Sequence, residues 1–215
     1  EFPECKDLEI IYLAEGMHTS PGTRKSIIRA MTADCYELKN GRLEKSKTPL
    51  IKTVSIKNQK LTLISFPAGE ALMLPKHSDI QNIRCYLGAR VPSFLLSPMP
   101  LMQALLKATA DILVKHAISD TTPSISQRQN TLASIIVRGS TKGELTVSSK
   151  DPYLFTAYIV AKAAVHILKS GTMHNGAIAP SMIAGAGFMK DLFIHYGMSW
   201  AMEPISSRDL SRDNS

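Results

Sequence analysis

"CYELKNGRLEKSKTPLIKTVSIKNQKLTLISF", residues 35–66, decides the fold class. Asn40-Gly41 sits between two short runs and is the strongest short-range hairpin signal. "LIKTVSI" and "KLTLISF" follow as two more strands, with Asn58-Gln59 between them as a turn. Consecutive strands joined by such short turns pair antiparallel, because a parallel pair needs a crossover connection, usually a helix.

Working outward, "LEIIYLAEG" reads as a strand ended by Gly16, and "HTSPGTRKSIIRAMTA" as a helix with Ile27, Ile28 and Met31 on its apolar stripe. "NIRCYLGARV" is another strand. "SPMPLMQALLKATADILVKHAI" is the clearest helix: Pro98 and Pro100 suit its start, and Leu101, Leu105, Ile112 and Leu113 fit helical spacing. "SDTTPSISQRQN" reads as a polar surface loop, and "TLASIIVRGSTKGELTVSS" as two strands. Two more helices are predicted in "PYLFTAYIVAKAAVHILKSG" and "APSMIAGAGFMKDLFIHYGM". The order is not strict βαβ alternation. It predicts an α+β fold, a mixed and mostly antiparallel sheet with helices packed mainly on one face. One domain over residues 1–204 and a polar, flexible tail over 205–215 are expected. No internal repeat is visible.

The 215 residues are 44% hydrophobic and 20% charged, enough apolar content for a sizeable core. The net charge of +7 raises nucleic acid as a partner, but aromatics are only 6% and no zinc-knuckle, RNP-like or basic-helix pattern occurs, so no nucleic-acid binding is expected. No run of about 18 apolar residues is present, so no membrane span is expected. Cys5, Cys35 and Cys85 are few, odd in number and without CxxC, which predicts buried, inert thiols and a cytoplasmic setting. The sequence opens on Glu1 rather than Met, with no signal peptide, and we expect a piece of a longer protein.

The candidate chemistry is sparse. "GAGFMK" at 185–190 lacks the third glycine of a dinucleotide fingerprint and lies inside a helical pattern, so close helix packing is the simpler reading. No P-loop, HExxH or G-x-S-x-G is present, and no cofactor or metal site is expected in this chain. His116, His166 and His195 fall on predicted helices. His18 and His77 fall in loops, where function concentrates. Lys39, Arg42, Lys45, Lys47, Lys52, Lys57 and Lys60, with Glu44 as the only acid among them, read first as a solvated hairpin face that protects sheet edges. The alternative is a non-catalytic binding or scaffold module that docks an acidic partner on that face.

"SPGTRKS" at 20–26 opens a helix. Thr19 or Ser20 can cap it, with Pro21 in the first turn. Arg24 and Lys25 oppose the helix dipole there, which points to an anion or acidic surface nearby.

Several segments together resemble the second domain of saccharopine dehydrogenase-like oxidoreductases, over about residues 8–198. They are Ser20-Gly22-Thr23-Ser26, Phe66-Gly69-Glu70, Ile80-Asn82-Ile83-Tyr86, Asp151-Tyr153-Thr156-Ala157 and Gly176-Ala177-Pro180. Glu70 stands where aspartate is usual, and Arg24-Lys25 where smaller residues are common. The resemblance implies a substrate-side and dimerisation domain, inert alone, whose NAD(P)-binding Rossmann domain is not in this chain. It implies a homodimer and a small-molecule substrate in the intact protein. The loops at 17–23 and 69–79 are the expected cleft wall, since pockets favour domain interfaces. His18, Ser20, Gly22, Thr23, Arg24, Glu70 and His77 are accordingly the candidate substrate-binding residues, with no catalytic residue assigned.

Overall fold

The computed structural model describes residues 5–16, 18–46, 50–56, 59–91, 99–116, 121–139, 143–170, 176 and 178–203. Those residues form an α+β fold on one nine-stranded sheet. The strands are β1 (Asp7–Glu15), β2 (Tyr36–Lys39), β3 (Arg42–Lys45), β4 (Ile51–Ile56), β5 (Gln59–Ser65), β6 (Asn82–Ala89), β7 (Leu132–Gly139), β8 (Gly143–Lys150) and β9 (Ser199–Glu203). The helices are α1 (Pro21–Thr32), α2 (Glu70–Met73), α3 (Met99–His116), α4 (Ile125–Gln129), α5 (Pro152–Ser170) and α6 (Pro180–Tyr196). A 3-10 turn, Leu74–Lys76, follows α2.

The strand order is β3-β2-β6-β1-β7-β8-β9, and β4 and β5 branch from β6. Among the described strands only β1 and β6 run parallel, with Ile10 opposite Cys85 and Ile11 opposite Tyr86. The sheet forks at β6. Its start pairs with β2 through Leu38 and Ile83, and its end pairs with β5 from Thr62 to Ser65. The β2–β3 turn is the expected Asn-Gly turn, with φ of 49° at Asn40 and 74° at Gly41, the two positive angles that a type I′ hairpin requires.

Side-chain alternation then sorts the two faces. Ile11 of β1, Tyr86 of β6 and Ile136 of β7 share one face through their pairing. The β4–β5 hairpin folds back over that face, and Val54, Ile56, Leu61 and Leu63 close a core with these three. Ile11 and Leu63 are fully buried, and each such side chain contributes about 1.5–3 kcal/mol. Gly88 leaves room for side chains of its neighbouring strands: a Cβ there would run into a Leu13 methyl and crowd one of Ile11, both on β1, and touch one of Leu63 on β5. Polar pairs stitch the same interface. The Lys52 ammonium lies 2.6 Å from Glu9 and over the Tyr86 ring, and Arg138 pairs with Glu144 at 2.7 Å while reaching the Ser55 carbonyl.

The helices take the opposite face. Ala71 of α2 packs with Ile10, Leu38, Ile83 and Cys85, supported by Tyr12, Ala68, Leu74 and Ile80. The start of α5 and the whole of α1 stand over the same face further along β1 and β7. Among the described residues no helix is long and apolar enough to cross a membrane.

Four expectations change. The polar 119–130 segment, read as loop, contains α4, whose Ser124 and Gln127 form a capping box. The 69–79 loop contains α2 and the 3-10 turn. Residues 199–203, assigned to no element, form β9 as an edge strand on β8. The 180–196 helix is broken at Gly185 (φ 77°, ψ 169°), so G-x-G here marks a kink in α6 rather than continuous helix. Part of the predicted turn at 58–59 and the tail at 205–215 lie outside the described residues.

Candidate functional site

The site begins with a helix cap. Ser20 has extended backbone angles and its hydroxyl accepts from the Thr23 N–H at 3.2 Å, with Pro21 at the first helical position. Such a cap contributes about 1 kcal/mol. A second helix start meets it. The Tyr153 hydroxyl, in the first turn of α5, accepts the Ser20 N–H at 2.9 Å and lies 3.0 Å from Thr23 Oγ1. Burial alone raises the Tyr153 phenol, but the hydrogen bonds from Thr23 and Ser20, with the charge of Arg24, outweigh it and hold it below the ordinary tyrosine value.

Tyr153 is held by what lies before it. Asp151 is buried and accepts the Leu154 N–H on its carboxylate at 3.1 Å, capping α5. Its carbonyl accepts from the Tyr196 hydroxyl, and its own φ is +46°, left-handed for a residue with a Cβ. Asp151→Ala removes the cap and keeps the strained angle. It is expected to lower stability by roughly 2 kcal/mol, within the range of lost caps. Asp151→Gly loses the same cap but relieves the angle, and should cost visibly less. Urea midpoints of the two variants check this, and equal midpoints would contradict the cap-plus-strain account.

Arg24 reaches back across the start of α1. Its guanidinium donates to the backbone carbonyls of Thr19 and of Thr121, the latter at 2.8 Å. The positive charge in the first turn of α1 therefore ties two loops together. Lys25 is exposed.

These groups border a cavity of about 660 Å³. Its floor is the sheet, with Tyr12 and Ala14 of β1, Leu87 of β6 and Ala133 and Ile135 of β7. Its roof is α1, through Thr23, Ile27, Ala30 and Met31. Phe66 and Pro67 wall one side, and Tyr153 and Thr156 of α5 another. At the far end of α1, Asp34 lies between two ammonium groups, 2.7 Å from Lys45 and 3.3 Å from Lys107. Those two lysines, Lys45 most directly, hold the Asp34 carboxyl below its ordinary value. A size in the hundreds of cubic ångströms, mostly apolar walls and a few polar groups are the usual attributes of a small-molecule site.

The floor has one supported phenol. The Tyr12 hydroxyl donates to Glu70, and its ring packs 6.0 Å from Phe66. Burial first, and Glu70 second, push the Tyr12 phenol well above its ordinary value, so it stays protonated. Burial, followed by Glu70, pushes the Cys85 thiol up to about 12, and burial also raises Cys35 on the cavity wall. All three cysteines are free thiols; Cys5 and Cys85 are buried as expected, whereas Cys35, also expected to be buried, is only half-buried.

Of the seven candidate residues, Ser20, Thr23 and Arg24 come together at the start of α1, and Thr23 lines the cavity. Glu70 stands behind the floor, bonded to Tyr12. Gly22 is exposed in the first turn of α1, and a side chain added there meets only ordinary contact with Ser20. His18 and His77 are exposed and do not line the cavity, the latter ending the 3-10 turn. His166 packs against Phe188 and His195 bonds the Asp191 carbonyl, in keeping with helix-face roles. Sequence reasoning missed Tyr153, Tyr12, Asp34 and Lys107. Only Tyr153 carried a signal, as the aromatic of the D-x-Y segment. Of the basic hairpin run, Lys45 and Lys52 are engaged by carboxylates, and Lys47 and Lys57 lie outside the described residues. Among the described residues no group of three metal-ligating side chains occurs.

No family model matches this sequence, and no curated protein matches it.

Proposed function

We propose that this chain is the substrate-side and dimerisation domain of an NAD(P)-dependent oxidoreductase of the saccharopine dehydrogenase-like kind, working with a dinucleotide-binding domain outside the chain. One observation carries the reading. Motif segments that lie far apart in sequence converge on one cavity: Thr23 from the first, Phe66 from the second, and Tyr153 and Thr156 from the fourth line its wall. The third does not line it: Ile83 packs under Ala71 on the same face of the sheet, and Tyr86 lies in the core on the other. A domain of this kind holds a substrate and closes over a nicotinamide that another domain positions, since the hydride chemistry belongs to the cofactor.

The exposed apolar side chains favour a partner subunit. Leu105 and Ile112 on α3, Val160 and Leu168 on α5, and Trp200 and Met202 on the β9 edge are all exposed, Leu168 by 84%. Exposed apolar surface concentrated on a few elements marks an interaction face, and closed dimers are the commonest way to cover one.

Two measurements test the reading. NAD(P)H fluorescence should show no enhancement when the purified chain is added. Light scattering should give twice the 23.5 kDa chain mass. Tight dinucleotide binding would overturn the assignment, and a monomer at micromolar concentration would remove the dimerisation part of it.

A further inference from the structure

The cavity has a direction as well as a volume. It follows α1 from Thr23 to its end at Thr32, nine steps that at 1.5 Å per residue span about 14 Å, and reaches Asp34 just beyond. One end holds hydroxyls, those of Tyr153 and Thr23. The other holds Lys45 and Lys107, which share the single carboxylate of Asp34. That end carries one positive charge in excess. Between the ends the walls are mostly aliphatic and aromatic, with Cys35, Ser46, Ser65 and Ser134 as the polar exceptions. A polar amino-acid dicarboxylate would leave most of its hydrogen-bonding groups without partners there, each at a cost of kilocalories. A helix does not fit either, since with side chains it is about 10–12 Å across and would overfill a cavity of 660 Å³.

We infer that the cavity takes an elongated apolar chain ending in a carboxylate, of the fatty-acid class, with its tail along α1 and its head at Lys45 and Lys107. This rests on the reading of the cavity as the substrate compartment and narrows the substrate class. Burying an alkyl chain supplies the affinity, at about 0.8 kcal/mol per CH₂. The ammonium pair supplies orientation: a carboxylate entering beside Asp34 restores neutrality at that end, whereas a cationic head meets like charge.

The test is isothermal titration of sodium dodecanoate, below its micelle-forming concentration, into the whole chain. One saturable site per chain is expected. Lys45→Ala with Lys107→Ala, both changes at exposed positions, should weaken binding roughly three- to tenfold, the scale of exposed ion pairs. Ala30→Trp fills the roof and should abolish binding while circular dichroism stays unchanged. Should that variant unfold, the lysine pair and the ligand series still decide. Dodecylammonium is the counter-probe and should bind much more weakly. Non-saturable uptake, dodecanoate binding that survives Ala30→Trp, or equal affinity for dodecylammonium would each overturn the inference. The outcome is separable from the oxidoreductase reading, because no dinucleotide is present. Dodecanoate binding together with tight NAD(P)H binding would sink the domain assignment and leave the ligand class standing. Absence of both would do the reverse.

Discussion

Arg138→Met is expected to lower the unfolding free energy by about 3–5 kcal/mol, read as a fall in the urea midpoint with little change in slope. Arg138 and Glu144 face each other across β7 and β8, 2.7 Å apart and each about one-tenth exposed. Arg138 also donates to the Ser55 carbonyl of the overlying β4–β5 hairpin. Removing the guanidinium leaves the Glu144 carboxylate buried without its counter-charge and takes a donor from the hairpin. The pair itself need not stabilise the fold, because desolvating two charges offsets most of their attraction. The double change Arg138→Met with Glu144→Leu should therefore recover most of the loss. A double variant as unstable as the single one would show that the hairpin contact, not the stranded charge, sets the cost.

Tyr86→Ala is expected to cost about 3–5 kcal/mol, the range for deleting a large buried aromatic. Tyr86 is 1% exposed and lies in the core between the sheet and the β4–β5 hairpin, with the Lys52 ammonium 5.1 Å above its ring. The change opens a cavity at the fork of the sheet and removes the surface on which Lys52 rests. The matched control is Leu168→Ala on α5, an exposed position, where the loss of stability should stay within about 0.5 kcal/mol. If both variants melt alike, the hairpin is not the packed lid described above.

Both predictions depend on the hairpin folding back over the sheet, which shows how far the sequence reaches. The strands of that hairpin were legible, because "LIKTVSI" and "KLTLISF" are β-rich runs with a turn signal between them. Their destination was not. β5 pairs with the end of β6, over 20 positions on, and no local pattern specifies that choice. The elements that were missed are short. α4 spans five residues and β9 five, too few for a period to stand out. The Ser124 and Gln127 spacing of α4 was a capping box in plain sight.

The candidate site divides the same way. The Ser20 cap and its proline followed from local chemistry and stand as expected. The reading of Arg24 as a sign of a nearby anion did not foresee its carbonyl partners, because Thr121 is 97 residues distant. Tyr153 reaches Ser20 across 133 residues.

From its own residues the sequence determined the α+β class, the Asn40-Gly41 turn, the capped start of α1 and the burial of Cys5 and Cys85, because each depends on near neighbours or on apolar content. Tertiary structure alone decided that the sheet forks at β6, that one face is covered by the chain's own hairpin, and that two helix starts meet over an apolar cavity on the other. Those outcomes depend on which strand edges and apolar faces find each other, and that is settled by the packing of the whole chain rather than by any stretch of it.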